Sequence, residues 1–103
     1  MHDAQALIRD GALLLDVRQD SEFELGHAPS ALHIPLAELP DHLDELDKGR
    51  RILCVCRSGG RSARAGEFLL EQGFNAVNVE GGMIAWAQDN FPLVADSGEP
   101  VID

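Results

Sequence analysis

The run Cys56-Arg57-Ser58-Gly59-Gly60-Arg61-Ser62 gathers residue types suited to nucleophilic chemistry on a small anion. It follows an apolar stretch that reads as a buried strand, and it opens a helical pattern. A cysteine placed there sits beside backbone N–H groups that lack a partner within the helix, and beside the positive end of the helix dipole. Both favour its thiolate. Gly59 and Gly60 let the chain curl so that successive N–H groups turn inward and form an anion-binding nest. Arg57 and Arg61 add fixed charge with forked donors suited to oxyanions, and Ser62 is placed to cap the first turn of the following helix. Cys56 is therefore the expected nucleophile, with Arg57, Ser58, Gly59, Gly60, Arg61 and Ser62 as its substrate-binding frame. Cys54 has no charged or turn-forming partner inside the strand and is expected to pack in the core. Two cysteines one residue apart in an extended segment do not meet disulfide geometry, so both read as free thiols of a reducing compartment.

Charge narrows the ligand. The chain carries a net charge of −10, which disfavours nucleic acid and anionic membrane surfaces as partners. Yet no acid interrupts the stretch from Lys48 to Gly66, which holds most of the basic residues. Lys48, Arg50 and Arg51 read as a solvated face. Arg57 and Arg61, separated by glycines and preceded by a cysteine, read as one local cationic spot for a small anion. The apolar runs Ala12–Leu15 and Ile52–Cys56 are too short to cross a bilayer. The N-terminal residues lack the basic-then-apolar pattern of a signal peptide, so the expected location is cytoplasmic. A length of 103 residues, 45% of them hydrophobic, suits one domain over 1–103 with a modest core, and residues 92–103 as a C-terminal tail.

The elements that must hold the loop can be read in order. Asp3 to Ile8 has helical spacing and stops at Gly11. Ala12 to Val17 is a continuous apolar run, suited to a strand covered on both faces. Ser21 to Leu25 is one helical turn, Gly26 to Ser30 a turn, and Ala31 to Ile34 a short strand. Pro35 to Leu46 reads as an amphipathic helix on Leu36, Leu39, Leu43 and Leu46, interrupted by Pro40. Arg51 to Val55 is a strand, and Arg61 to Gln72 a helix with Ala65, Phe68, Leu69 and Gln72 on one face. Ala76 to Val79 is a strand, Met83 to Gln88 a helix, and the tail holds one possible short strand. Alternating strands and helices imply an α/β fold with a mainly parallel sheet, whose ligands bind beyond the carboxyl ends of the strands. Asp16, Arg18 and Cys56 are thereby expected on one edge.

These motifs resemble the rhodanese family. The Cys56 loop is similar to that family's active-site loop, Leu15-Asp16-Val17-Arg18 with Glu22-Phe23 to its early signature, and Gly26-His27-Ala28-Pro29-Ser30-Ala31 to its second. Gly81-Gly82-Met83-Ile84-Ala85-Trp86 is similar to its closing signature, so the resemblance runs from about residue 7 to 92. It implies a central parallel sheet flanked by helices and a thiosulfate sulfurtransferase. Its sulfane sulfur passes from thiosulfate, or a similar small anionic donor, through a Cys56 persulfide to cyanide or to a thiol or protein acceptor. It also implies structural support of the site by Asp16, Arg18 and His27. No cofactor is expected, and no metal, since His2, His33 and His42 lack ligand spacing. The family often begins with an extra strand before its first helix; here that edge is either missing or filled by the tail near Val94 or Val101.

Rival activities differ in loop size and composition. Phosphatase and arsenate reductase relatives carry five residues between Cys and Arg, whereas four separate Cys56 from Arg61. Mercaptopyruvate sulfurtransferases typically have glycine at the position of Arg57. A non-catalytic rhodanese-like module that binds or senses a partner usually lacks the cysteine.

Overall fold

Strand β3 (Arg51–Val55) is the centre of the molecule, because its apolar residues feed both faces of the sheet. The computed structural model describes residues 2–102, with side chains from Ala4 onward, so the reading of His2 lies outside the described side chains. Around β3 the sheet runs in the order β2-β1-β3-β4, all parallel, with β1 at Leu13–Asp16, β2 at Leu32–His33 and β4 at Asn75–Asn78. Among the described residues four α-helices accompany them: α1 (His2–Arg9), α2 (Asp20–Leu25), α3 (Gly60–Glu71) and α4 (Gly82–Gln88).

The period-two alternation of a strand divides the core. On one face Leu15, Ile52, Cys54 and Cys56 pack with Leu39, Leu46, Ala65 and Leu69, which come from the segment after β2 and from α3. On the other, Leu14, Leu53 and Val55 pack with Ala4, Met83 and Trp86. Helices on both sides of a parallel sheet account for its continuous apolar strands, as the sequence suggested.

Two readings are corrected. The segment expected as an amphipathic helix is a 3-10 helix, Leu36–Glu45, broken where His42 adopts φ −122° and ψ 18°. Pro40 removes an N–H and crowds the preceding turn, which an α-helix tolerates poorly. The leucine pattern survives, since Leu39 and Leu46 are buried and Leu36 and Leu43 pack against the same cluster. Gln72, expected on the inner face of α3, is exposed at its end. The tail does not join the sheet. Val94 pairs with His27 in an isolated antiparallel bridge, and the Val101 N–H donates to the Leu25 carbonyl at 2.9 Å. It therefore wraps the end of α2 and leaves β4 as an edge with Val77 exposed.

Leu39 has no exposed surface, whereas Leu70 on α3 is 57% exposed. In urea denaturation Leu39→Ala should lose about 2–5 kcal/mol of stability, while Leu70→Ala should stay within about 0.5 kcal/mol of the parent.

Candidate active site

Register places the chemistry. Asp16 is the partner of Val55 across the β1–β3 ladder, so the next residue, Cys56, leaves the sheet beside the ends of β1 and β4. Cys56 is 1% exposed, and the loop after it rises at once to the surface through Arg57 and Ser58. Gly59 takes φ +121° at the N-cap of α3, a conformation that side-chain-bearing residues rarely adopt.

The sulfur sits in a ring of donors. Gly59 N–H donates to Cys56 Sγ at 3.1 Å, the N–H groups of Ser58 and Ser62 also face it, and Ser62 Oγ lies 3.3 Å away. Burial alone would push the thiol up. The Ser62 hydroxyl and the three backbone N–H groups outweigh it, and the net effect lowers the Cys56 pKa. Cys54, inside β3, has only the burial, which pushes its thiol up to about 12. The surroundings of Cys56 favour its thiolate, and those of Cys54 disfavour it.

Amides turned toward the sulfur leave carbonyls turned away, and these are satisfied by the start of α4. Met83 N–H donates to the Cys56 carbonyl at 2.8 Å and Ile84 N–H to the Arg57 carbonyl at 3.1 Å. The approach requires Gly82. Its φ is +57°, and a Cβ there would lie 2.4 Å from the Cys56 carbonyl oxygen. Asn78, at the end of β4, adds a third tie, with its Nδ2 donating to the Gly59 carbonyl at 3.3 Å.

The rest of the edge is held by a buried ion pair. Arg18 and Asp16 are 1% and 0% exposed, and the guanidinium donates to both carboxylate oxygens through Nε and Nη2 at 2.8–3.1 Å. Arg18 also donates to the carbonyls of Gly26 at 2.8 Å and Glu22 at 3.4 Å. His27 donates from Nδ1 to the Phe23 carbonyl at 2.6 Å, and its ring stacks on Phe23. His33 covers the opposite face of Phe23 and donates from Nε2 to the Arg18 carbonyl at 2.7 Å.

Sequence-predicted residues thus converge, with two differences. Ser62 does not cap α3. It lies inside the first turn, fully buried, with its hydroxyl toward the sulfur and Asn78. Arg61 is engaged by Glu22 through both carboxylate oxygens at 2.6 and 2.9 Å. That pairing holds the Glu22 carboxyl down at about 2 and raises Arg61 further, with Cys56 adding to the attraction. Arg61 also lines a cleft of about 630 Å³ with Val17, Pro35, Leu36 and Arg64, and Cys56 is not part of its wall. Asn78 and Gly82 do not stand out in the sequence as parts of the cysteine's surroundings. A polar residue closing an apolar strand at the ligand-binding edge is the only signal for Asn78.

Comparison with known proteins agrees with this geometry. Residues 1–89 match the rhodanese-like domain family. YtwF of Bacillus subtilis, provisionally named a sulfurtransferase, is 46% identical over 79 residues, covering 77% of each chain. The thiosulfate sulfurtransferase GlpE of Pseudomonas syringae is 38% identical over 84 residues, covering 81% of this chain and 79% of its own. A crystal structure of a rhodanese-related protein from Thermoplasma volcanium superposes with a TM-score of 0.84 at 34% identity, covering 90% of this chain and 92% of its own.

In the folded protein iodoacetamide should modify Cys56 alone, with Cys54 reacting only after denaturation; peptide mass mapping checks this. The rate should follow the thiolate, falling about tenfold per pH unit below a midpoint that lies under that of an ordinary thiol. Gly82→Ala should cost about 2–4 kcal/mol in chemical denaturation, through combined backbone strain and overlap with the loop, and should slow that alkylation.

Proposed function

The chain belongs to the rhodanese-like domain family, and from that premise we propose that it is a thiosulfate sulfurtransferase working through a Cys56 persulfide. The observation that carries the reading is the donor ring around one buried, activated sulfur. The Cys56 thiolate attacks the outer sulfur of thiosulfate. A sulfur–sulfur bond forms, the bond to the sulfonate breaks, and sulfite leaves with the electron pair. Cyanide or a thiolate then attacks the terminal sulfur of the persulfide, and the Cys56 thiolate departs with the electrons of that bond. No net oxidant or reductant is consumed.

Each part of the loop has a task in this sequence. The nest amides and the Ser62 hydroxyl stabilise negative charge on Cys56 before and after transfer. Arg57, exposed next to the sulfur, meets the sulfonate end of the donor. Arg61 is oriented by Glu22, whose carboxylate offsets its charge, so it contributes a positioned guanidinium rather than an unopposed charge. The combination of a small nest with two arginines supports a doubly anionic donor over mercaptopyruvate. The relative named as a thiosulfate sulfurtransferase supports the same donor. In this reading residues 1–103 act as one domain in the cytoplasm.

Intact mass spectrometry after incubation with thiosulfate should show a gain of one sulfur atom, removed by cyanide with formation of thiocyanate. Cys56→Ser should show neither gain nor thiocyanate above background. Full transfer by that variant would refute the assignment. Arg57→Ala should raise the KM for thiosulfate about tenfold or more while leaving alkylation of Cys56 nearly unchanged.

A further inference from the structure

Ser62 has one hydroxyl proton and three acceptors within reach. Asn78 Oδ1 is nearest at 2.5 Å, while Cys56 Sγ and the Gly59 carbonyl are each at 3.3 Å. The Asn78 side chain cannot turn its amide around without cost, because its Nδ2 is already committed to the Gly59 carbonyl at 3.3 Å. Its carbonyl oxygen is therefore fixed toward Ser62, and all of this lies behind a sulfur that is 1% exposed.

We propose that Asn78 is a positioning residue that governs the Cys56 nucleophile by competing with its sulfur for the single proton of Ser62. With Cys56 as a thiol, the hydroxyl donates to Asn78. When the sulfur is an anion, an oxygen lone pair facing it is repulsive, so the hydroxyl rotates to donate to sulfur and Asn78 Oδ1 gives up its bond. Formation of the persulfide moves the charge from Sγ to the terminal sulfur, and the hydroxyl returns to Asn78. Asn78 thus restrains the free thiolate and favours the states in which Sγ is uncharged. This role rests on Cys56 being the working nucleophile, as proposed above, but its expression in the resting thiol does not need sulfur transfer.

The charged groups at this edge are Arg57 from the loop, Arg61 from α3, Asp16 and Arg18 from the end of β1, and Glu22 from α2. Replacing Asn78 by a neutral residue leaves every one of them in place, so a change in the titration of Cys56 reports the hydroxyl and not a lost charge.

The test is the pH dependence of iodoacetamide alkylation in the parent, Asn78→Ala, Ser62→Ala and the double variant, with circular dichroism to establish folding. Asn78→Ala should lower the Cys56 midpoint by about 0.5–1 pH unit, since the proton of Ser62 is then left to the sulfur. Ser62→Ala should raise the midpoint, and in that background Asn78→Ala should add nothing. An unchanged or raised midpoint in Asn78→Ala, or an equal shift with Ser62 absent, would overturn the proposal, because a merely loosened loop raises the midpoint toward that of an ordinary thiol. Should Asn78→Ala fail to fold, Asn78→Val, which suits a strand end, takes its place with the same expected sign. Thiosulfate loading measured on the same samples separates the two readings: a parent that takes up no sulfur refutes the donor, while the shifted midpoint still supports the role of Asn78.

Discussion

A loop that turns its amides toward one atom must find other donors for its carbonyls, and in this protein that constraint ties the two ends of the fold together. The amides of Ser58, Gly59 and Ser62 face the Cys56 sulfur. The Arg57 carbonyl, in the same peptide as the Ser58 N–H, consequently faces away, and with the Cys56 carbonyl it meets the start of α4, where the first amides of a helix have no intrahelical acceptor. Each set of unpaired groups meets the other's need. The close approach works only because Gly82 carries no side chain and tolerates φ +57°. The closing glycine signature is thus the rear wall of the cysteine loop, although it lies more than twenty residues downstream.

The front of the same loop is held by a different kind of force. Asp16 and Arg18 are fully withdrawn from solvent, and such a pair is tolerable only when the remaining donors are used. Arg18 uses them on the Gly26 and Glu22 carbonyls, which ties the middle and the C-terminal end of α2 to the end of β1. From α2 the Glu22 side chain reaches across to Arg61 in α3. The early and middle parts of the sequence are in this way connected to the reactive loop by hydrogen bonds, strand by strand. Arg61 is thereby held in one orientation by both Glu22 carboxylate oxygens.

Much of this was legible from residue types. Continuous apolar runs alternating with helical patterns give the parallel sheet, and the edge rule brings Asp16, Arg18 and Cys56 together, as the ladder register does. The glycines and arginines after Cys56 likewise announce an anion nest. What was not legible depends on distance in space. Ser62 reads as a cap because capping is a local property, yet its hydroxyl is claimed by Asn78 and the sulfur, sixteen and six residues away in sequence. The Leu36–Glu45 segment reads as an α-helix because leucine spacing reports which side is buried; Pro40 and the break at His42 decide the winding, and spacing does not report that. The partner of Arg61 was similarly hidden, since nothing local distinguishes a guanidinium aimed at a ligand from one held by Glu22.

The burial of the sulfur also bears on why a persulfide suits this site. At 1% exposure Cys56 offers almost no surface to an acceptor, and a bulky thiol could not approach it directly. Arg57 and Ser58, the next two residues, are both exposed, and in the proposed reaction a donor with a narrow terminal sulfur enters past them. In the proposed persulfide the reactive atom lies about 2 Å from Sγ, the length of one sulfur–sulfur bond. In the proposed cycle the inner sulfur keeps its backbone N–H donors while the Ser62 hydroxyl turns back to Asn78, and the outer sulfur carries the charge to its acceptor. In the proposed reaction, shielding the inner sulfur and presenting the transferred atom are therefore served by the same geometry, because transfer changes which sulfur reacts.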